Sequence, residues 1–228
     1  MKTPLLLLHG ALGSAAQFRD FENLLAKEFN ILKLDFCGHG KNDAHPGELS
    51  IDLFTGDVLK FLDIKKTGPV SIFGYSMGGF VALDLALLYP EKVKKIFTLA
   101  TKFAWSPETA QAETKLLDPE KIKEKVPAFA AHLQKLHGEK WEQLMKQTAG
   151  MMLQLGNTNP LALSELSKIK TSTTLSLGDK DKMVTLEETQ AAHQALSNSA
   201  LLLFPDTPHP WEQVNPNLVA KELIQFLG

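Results

Sequence analysis

Short apolar runs alternate with stretches of helical periodicity along most of this chain, and that alternation predicts a parallel sheet wrapped by helices. PLLLLH (4–9), NILKLDF (30–36), PVSIFG (69–74), KKIFTLA (94–100), TSTTLSLG (171–178) and ALLLFP (200–205) read as six strands. Most lack strict polar alternation, so both faces of the sheet should be covered. Between the first two, SAAQFRDFENLLAKEF opens on a capping-box pattern, Ser14 with Gln17, and sets Phe18, Phe21, Leu25 and Phe29 on one face. Residues 50–62 repeat that design with Ile51, Phe54, Val58 and Phe61. Residues 77–88 are apolar nearly all round, Asp84 being the one charged exception, which predicts a central buried helix. Thr185 with Glu188 forms a second capping box, and Asn215 with Pro216 starts the last helix, 216–227.

Residues 102–170 break the rhythm. No convincing strand occurs there, only helical patterns punctuated by Pro107, Pro119, Pro127, Gly138, Gly150 and Pro160. The organisation expected is a core of residues 1–101 and 171–228 carrying an all-helical insertion, 102–170.

Composition narrows the function classes. The 228 residues are 44% hydrophobic and 22% charged, enough for one sizeable core. A net charge of -2 offers no electrostatic reason for a nucleic-acid or membrane-surface partner. Arg19 is the sole arginine, which argues against a phosphate-rich ligand. Cys37 is the sole cysteine, so no intrachain disulfide exists. The start, MKTPLLLLHGALGSAA, imitates a signal peptide, but His9 and Gly10 interrupt the apolar run and a buried strand is the better reading. A cytoplasmic protein is expected.

The chemistry centres on FGYSMGGF (73–80), one serine among three glycines between an apolar strand and an apolar helix. In a G-x-S-x-G turn the serine occupies a strained strand-to-helix corner, with its hydroxyl projecting above the sheet. The helix starting at Met77 would aim its free N–H groups at negative charge developing there. A glycine-rich turn whose serine merely satisfies local backbone groups is the bland alternative.

HGALGS (9–14), LDFCGHGKND (34–43), GYSMGG (74–79), LGDKDKMV (177–184) and TPHPWEQVNP (207–216) occur in this order, and together the chain resembles the α/β-hydrolase family. The resemblance implies an α/β fold with a mostly parallel sheet of about six strands in the order 2-1-3-4-5-6, and a helical insertion acting as a lid. Relatives commonly begin with two antiparallel strands; here the HG strand already starts at residue 4.

The resemblance also implies the site. Ser76 is the nucleophile and His209, on the loop after the last strand, the general base; a loop histidine held for packing is the alternative reading. Asp181 fits the family's acid position better than Asp179. Backbone N–H groups of Met77 and Ala11 would form the oxyanion hole, with Leu12 a weaker candidate. Phe103, Trp105, Phe129, Trp141, Met145, Met151, Met152 and Leu155 give the insertion its apolar bulk. Leu12, Tyr75, Phe103, Trp141, Met145 and Met152 are the residues expected at the substrate pocket. His9 and His39 would be structural, while His45, His132, His137 and His193 need no special role. Cys37 is assigned no chemistry.

The implied function is hydrolysis of carboxylic esters of small or medium acyl groups through an acyl-enzyme, without cofactor or metal. The partner is a small-molecule ester. A carbon–oxygen lyase related to the menaquinone-pathway synthase is an alternative, weakened by Phe80 where that enzyme typically carries arginine. A non-catalytic ligand-binding member of the fold is the other.

Overall fold

The computed structural model describes residues 2–228. Six strands, β1 (Thr3–Leu8), β2 (Phe29–Lys33), β3 (Val70–Tyr75), β4 (Val93–Leu99), β5 (Ser172–Gly178) and β6 (Ser199–Phe204), form one sheet. Its order is β2-β1-β3-β4-β5-β6 and every neighbouring pair is parallel, as expected. The helices are α1 (Arg19–Leu25), α2 (Ile51–Lys65), α3 (Met77–Leu88), α4 (Pro107–Thr114), α5 (Pro119–Lys125), α6 (Pro127–His137), α7 (Trp141–Asn157), α8 (Leu163–Leu166), α9 (Leu186–Ala195) and α10 (Pro216–Leu227).

The period-two pleat of a strand explains the LLLL run. Leu5 and Leu7 enter one apolar cluster with Phe18, Phe21, Phe73, Phe97 and residues of α10, while Leu6 and Leu8 enter the other with α2, α3 and α7. A strand buried on both faces has no position left for a polar side chain, so its sequence shows no alternation. Between β4 and β5 the chain forms only helices, α4 to α8, and Phe103, Trp141, Met145 and Met151 from this stretch share the cluster of α2 and α3.

Helix α3 spans residues 77–88 and is buried from Met77 through Ala86. Its one charged side chain, Asp84, accepts a 2.6 Å hydrogen bond from Thr55 Oγ1, and burial raises its carboxyl above the ordinary value. The Thr185/Glu188 capping box forms at α9, and Asn215 caps α10. The Ser14/Gln17 box does not form. Ser14 caps a short 3₁₀ turn through Ala16 N–H, and the Gln17 amide nitrogen is buried without a partner, because the chain tightens to 3₁₀ geometry before α1 begins.

Candidate active site

Ser76 sits at the corner between β3 and α3 with φ 51° and ψ −117°, a positive-φ backbone conformation that costs a non-glycine residue of order 1–3 kcal/mol. The surroundings hold it there. Its N–H donates to Leu99 O at 2.8 Å, and its carbonyl accepts from Gly79 N–H and from Thr101 Oγ1, each at 3.0 Å. The flanking glycines permit the close approach: a β-carbon on Gly74 would lie 2.5 Å from Gly79 Cα, and one on Gly78 would lie 2.2 Å from Leu8 O.

His209 Nε2 lies 3.3 Å from Ser76 Oγ, and His209 Nδ1 lies 2.7 Å from Asp181 Oδ2. Asp181 is fully buried at its side chain, and its second oxygen accepts the N–H groups of Met183 (2.8 Å) and Val184 (2.9 Å). A carboxylate so fixed accepts from Nδ1–H, which leaves Nε2 unprotonated and facing the serine. Asp179 points elsewhere. Its Oδ1 accepts Thr207 N–H at 3.2 Å, tying the loop after β5 to the histidine loop. Of the two acids left open by the sequence, Asp181 is the one that touches His209.

The loop after β1 turns tightly, Gly13 N–H donating to Gly10 O at 3.1 Å, with Leu12 at φ 57°. Ala11 and Met77 both line a cavity with Ser76 and His209. As the first residue of α3, Met77 has no acceptor inside the helix, and among the described residues Ala11 N–H has no acceptor either. Both donors thus belong to residues that line the same cavity as Ser76.

The cavity measures about 50 Å³, counted as the space in which the centre of a water can sit. Its wall is mostly apolar, built by Ile51, Phe80, Trp105, Met151, Met152, Leu155 and Val184, with Lys102 and Glu113 as charged members. Met152 lies where the sequence reading puts it. Five other expected wall residues do not line it. Trp141 and Met145 are buried in the apolar core, on the first half of α7, and Phe103 is buried beside them. Leu12 is turned into that core as well. Tyr75 is a support: its hydroxyl donates to His209 O at 2.7 Å, and burial raises its pKa. Lys102 is itself occupied, donating to Met183 O at 3.0 Å and lying 3.4 Å from Glu113 and 3.9 Å from Glu188.

His9 and His39 are both fully buried and do not line the cavity. His9 donates from Nδ1 to Gly10 O (2.8 Å) and accepts Phe36 N–H at Nε2 (3.1 Å), while burial lowers its pKa to about 4. Cys37 is half-buried, and burial followed by the Asp57 carboxylate pushes its thiol up from the ordinary value. Among the described residues no group of three or more His, Cys, Asp and Glu side chains is arranged to hold a metal ion, and no helix is long and apolar enough to cross a membrane.

The sequence profile of the alpha/beta hydrolase fold matches residues 3–123. A serine hydrolase-like protein of Danio rerio is 32% identical over 100 residues, covering 43% of this chain and 31% of that protein, so the matched stretch spans about a third of the relative's length. A candidate 2-succinyl-6-hydroxy-2,4-cyclohexadiene-1-carboxylate synthase of Bacillus subtilis is 23% identical over 245 residues, covering 96% of this chain and 88% of its own. The crystal structure of an enol-lactonase from Burkholderia xenovorans superposes with a TM-score of 0.79 at 20% identity, over 100% of this chain and 92% of that one, which shows the shared fold.

Proposed function

The chain belongs to the alpha/beta hydrolase fold family, and from that premise we propose that it is a serine hydrolase cleaving carboxylic esters of small or medium acyl groups through an acyl-enzyme. The observation that carries the proposal is the continuous hydrogen-bonded line from Ser76 through His209 to Asp181, ending in a buried, doubly accepted carboxylate. His209 Nε2 takes the Ser76 proton as Oγ attacks the ester carbonyl. The carbonyl oxygen becomes an oxyanion that accepts from Ala11 and Met77 N–H, an arrangement worth roughly 3–4 kcal/mol per donor at the transition state. Protonated His209 then gives its proton to the departing alkoxide, leaving Ser76 acylated. In the second half His209 deprotonates a water, which attacks the acyl carbon and releases the acid with Ser76 restored.

The names of the relatives support a hydrolase at the coarse level. We read residues 102–170 as the lid, since Trp105, Glu113, Met151, Met152 and Leu155 all come from this stretch and face the same cavity as Ser76. A cavity this small fits a short acyl chain with the lid seated. Nothing in the site calls for a cofactor, and the partner is a small-molecule ester met in the cytoplasm.

The Bacillus subtilis relative keeps a carbon–oxygen lyase in view as a second reading. Against it, the lysine in the cavity wall faces two carboxylates, and the sole arginine, Arg19, is not part of that wall. A dicarboxylate would find no free cation there. Turnover of a panel of p-nitrophenyl esters from acetate to octanoate tests the proposal. Short-chain esters should be cleaved, and Ser76→Ala should abolish the activity. A non-catalytic member would cleave none of them in either form.

A further inference from the structure

We propose that His137, which does not line the cavity, is a positioning residue that holds the Ala11 donor in place for the oxyanion; the inference rests on the serine-hydrolase reading above. His137 ends α6, and its ring is buried at 4% exposure. It joins two loops remote in sequence. Nδ1 accepts Gly40 N–H at 2.9 Å, so the ring's proton sits on Nε2, which donates to Leu12 O at 2.9 Å.

Leu12 is the strained member of the Gly10–Gly13 turn. Its φ of 57° belongs to the third position of a type II turn, normally glycine, and costs leucine of order 1–2 kcal/mol. Without a partner for its carbonyl, the Leu12–Gly13 peptide would be free to rotate, drawing Gly13 N–H away from Gly10 O (3.1 Å) and loosening the Gly10–Ala11 peptide, which carries the Ala11 N–H. The rest of the neighbourhood is anchored on other groups. Asp35 Oδ1 accepts Ala15 N–H at 2.7 Å, and His9 fastens Gly10 O and Phe36 N–H. Only the His137 imidazole among the described side chains bonds the Leu12 carbonyl. Burial also lowers the His137 pKa, consistent with a neutral ring that accepts on one side and donates on the other.

An imidazole used this way can be replaced by a group with the same donor and acceptor. Glutamine has both, and leucine has neither. The experiment measures kcat and KM on p-nitrophenyl butyrate, and the inhibition constant of butylboronic acid, whose Ser76 adduct places an anionic oxygen in the hole. In His137→Leu, kcat should fall about 10- to 100-fold with KM within about twofold, and boronate affinity should fall by a similar factor. His137→Gln should restore both to within about threefold. Unchanged kcat in His137→Leu, or a loss that His137→Gln shares fully, overturns the inference. A parent protein that neither cleaves the ester nor binds the boronate overturns the hydrolase reading itself, and this inference with it. Should His137→Leu not fold, the ¹⁵N spectrum of the parent decides. An Nε2–H tautomer whose proton exchanges more slowly once boronate binds supports the role, and an Nδ1–H tautomer or unchanged exchange refutes it.

Discussion

Replacing Asp181 by asparagine tests the orientation of the proposed catalytic line with almost no change of shape. Oδ1 of Asp181 accepts two backbone N–H groups, from Met183 and Val184. An asparagine must therefore keep its carbonyl oxygen at that position, because turning its NH₂ there would set donor against two donors. The amide nitrogen then faces His209 Nδ1 across the 2.7 Å contact. A donor at that place obliges Nδ1 to accept, which moves the imidazole proton to Nε2, where it points at Ser76 Oγ. The base is occupied by its own proton. The equivalent change in a serine protease lowers kcat about 10⁴-fold, or about 5.5 kcal/mol of transition-state stabilisation, and a loss of that order is expected here. Asp179→Asn is the internal control. Its Oδ1 accepts a single N–H, from Thr207, which an amide oxygen accepts equally well, so activity should stay within about threefold. The assay is kcat on p-nitrophenyl butyrate with thermal melts of all three proteins. An Asp181→Asn variant keeping more than a tenth of the parent's kcat, or an Asp179→Asn variant falling as far, would refute this reasoning.

Two further predictions concern stability. Gly78→Ala drives a β-carbon against the backbone of Leu8 and His9 and should cost about 2–3 kcal/mol, lowering Tm by roughly 5–10 °C, whereas Gly56→Ala on the exposed face of α2 meets nothing within 4 Å and should raise Tm by about 2 °C. A melt in which Gly78→Ala matches the parent contradicts the close packing at the corner. On acidification, His9 stays neutral in the fold down to about pH 4, while in the unfolded chain it takes a proton near 6.5. Its contribution is thus whole above pH 6.5 and is lost as pH falls from 6.5 towards 4, about 2 kcal/mol being gone at pH 5. His39 and His137, also lowered by burial, act in the same direction, and the raised carboxyls of Asp57 and Asp84 act against it. Urea denaturation at pH 7.5 and pH 5 reads the difference, and His9→Gln should show a correspondingly smaller loss; equal losses in both proteins would contradict it.

The strands were legible because they are encoded locally, and the line Ser76–His209–Asp181 through the short motifs that carry the family resemblance. A strand buried on both faces leaves an unbroken apolar run, and Ser76, Asp181 and His209 each lie in a short motif at a strand end. The pocket wall is not encoded that way. Trp141, Met145, Met152 and Leu155 all carry the apolar character a wall needs, yet about 10 Å of rise along α7 separates Met145 in the core from Met152 at the cavity. Composition cannot say which end of a helix reaches the site. Phe80, Val184 and Met183, which also lines the cavity, did leave a signal, being sequence neighbours of the nucleophile turn and the acid. His137 left none. Its partners are 97 and 125 residues away, and only the folded chain brings them together.

Intact-mass spectrometry after rapid acid quench of the protein with p-nitrophenyl butyrate addresses the proposed acyl-enzyme most directly. A single butyryl adduct should appear during turnover, map to the peptide carrying Ser76 and be missing from Ser76→Ala. Turnover with no adduct on that peptide, or an adduct that persists in Ser76→Ala, would contradict it.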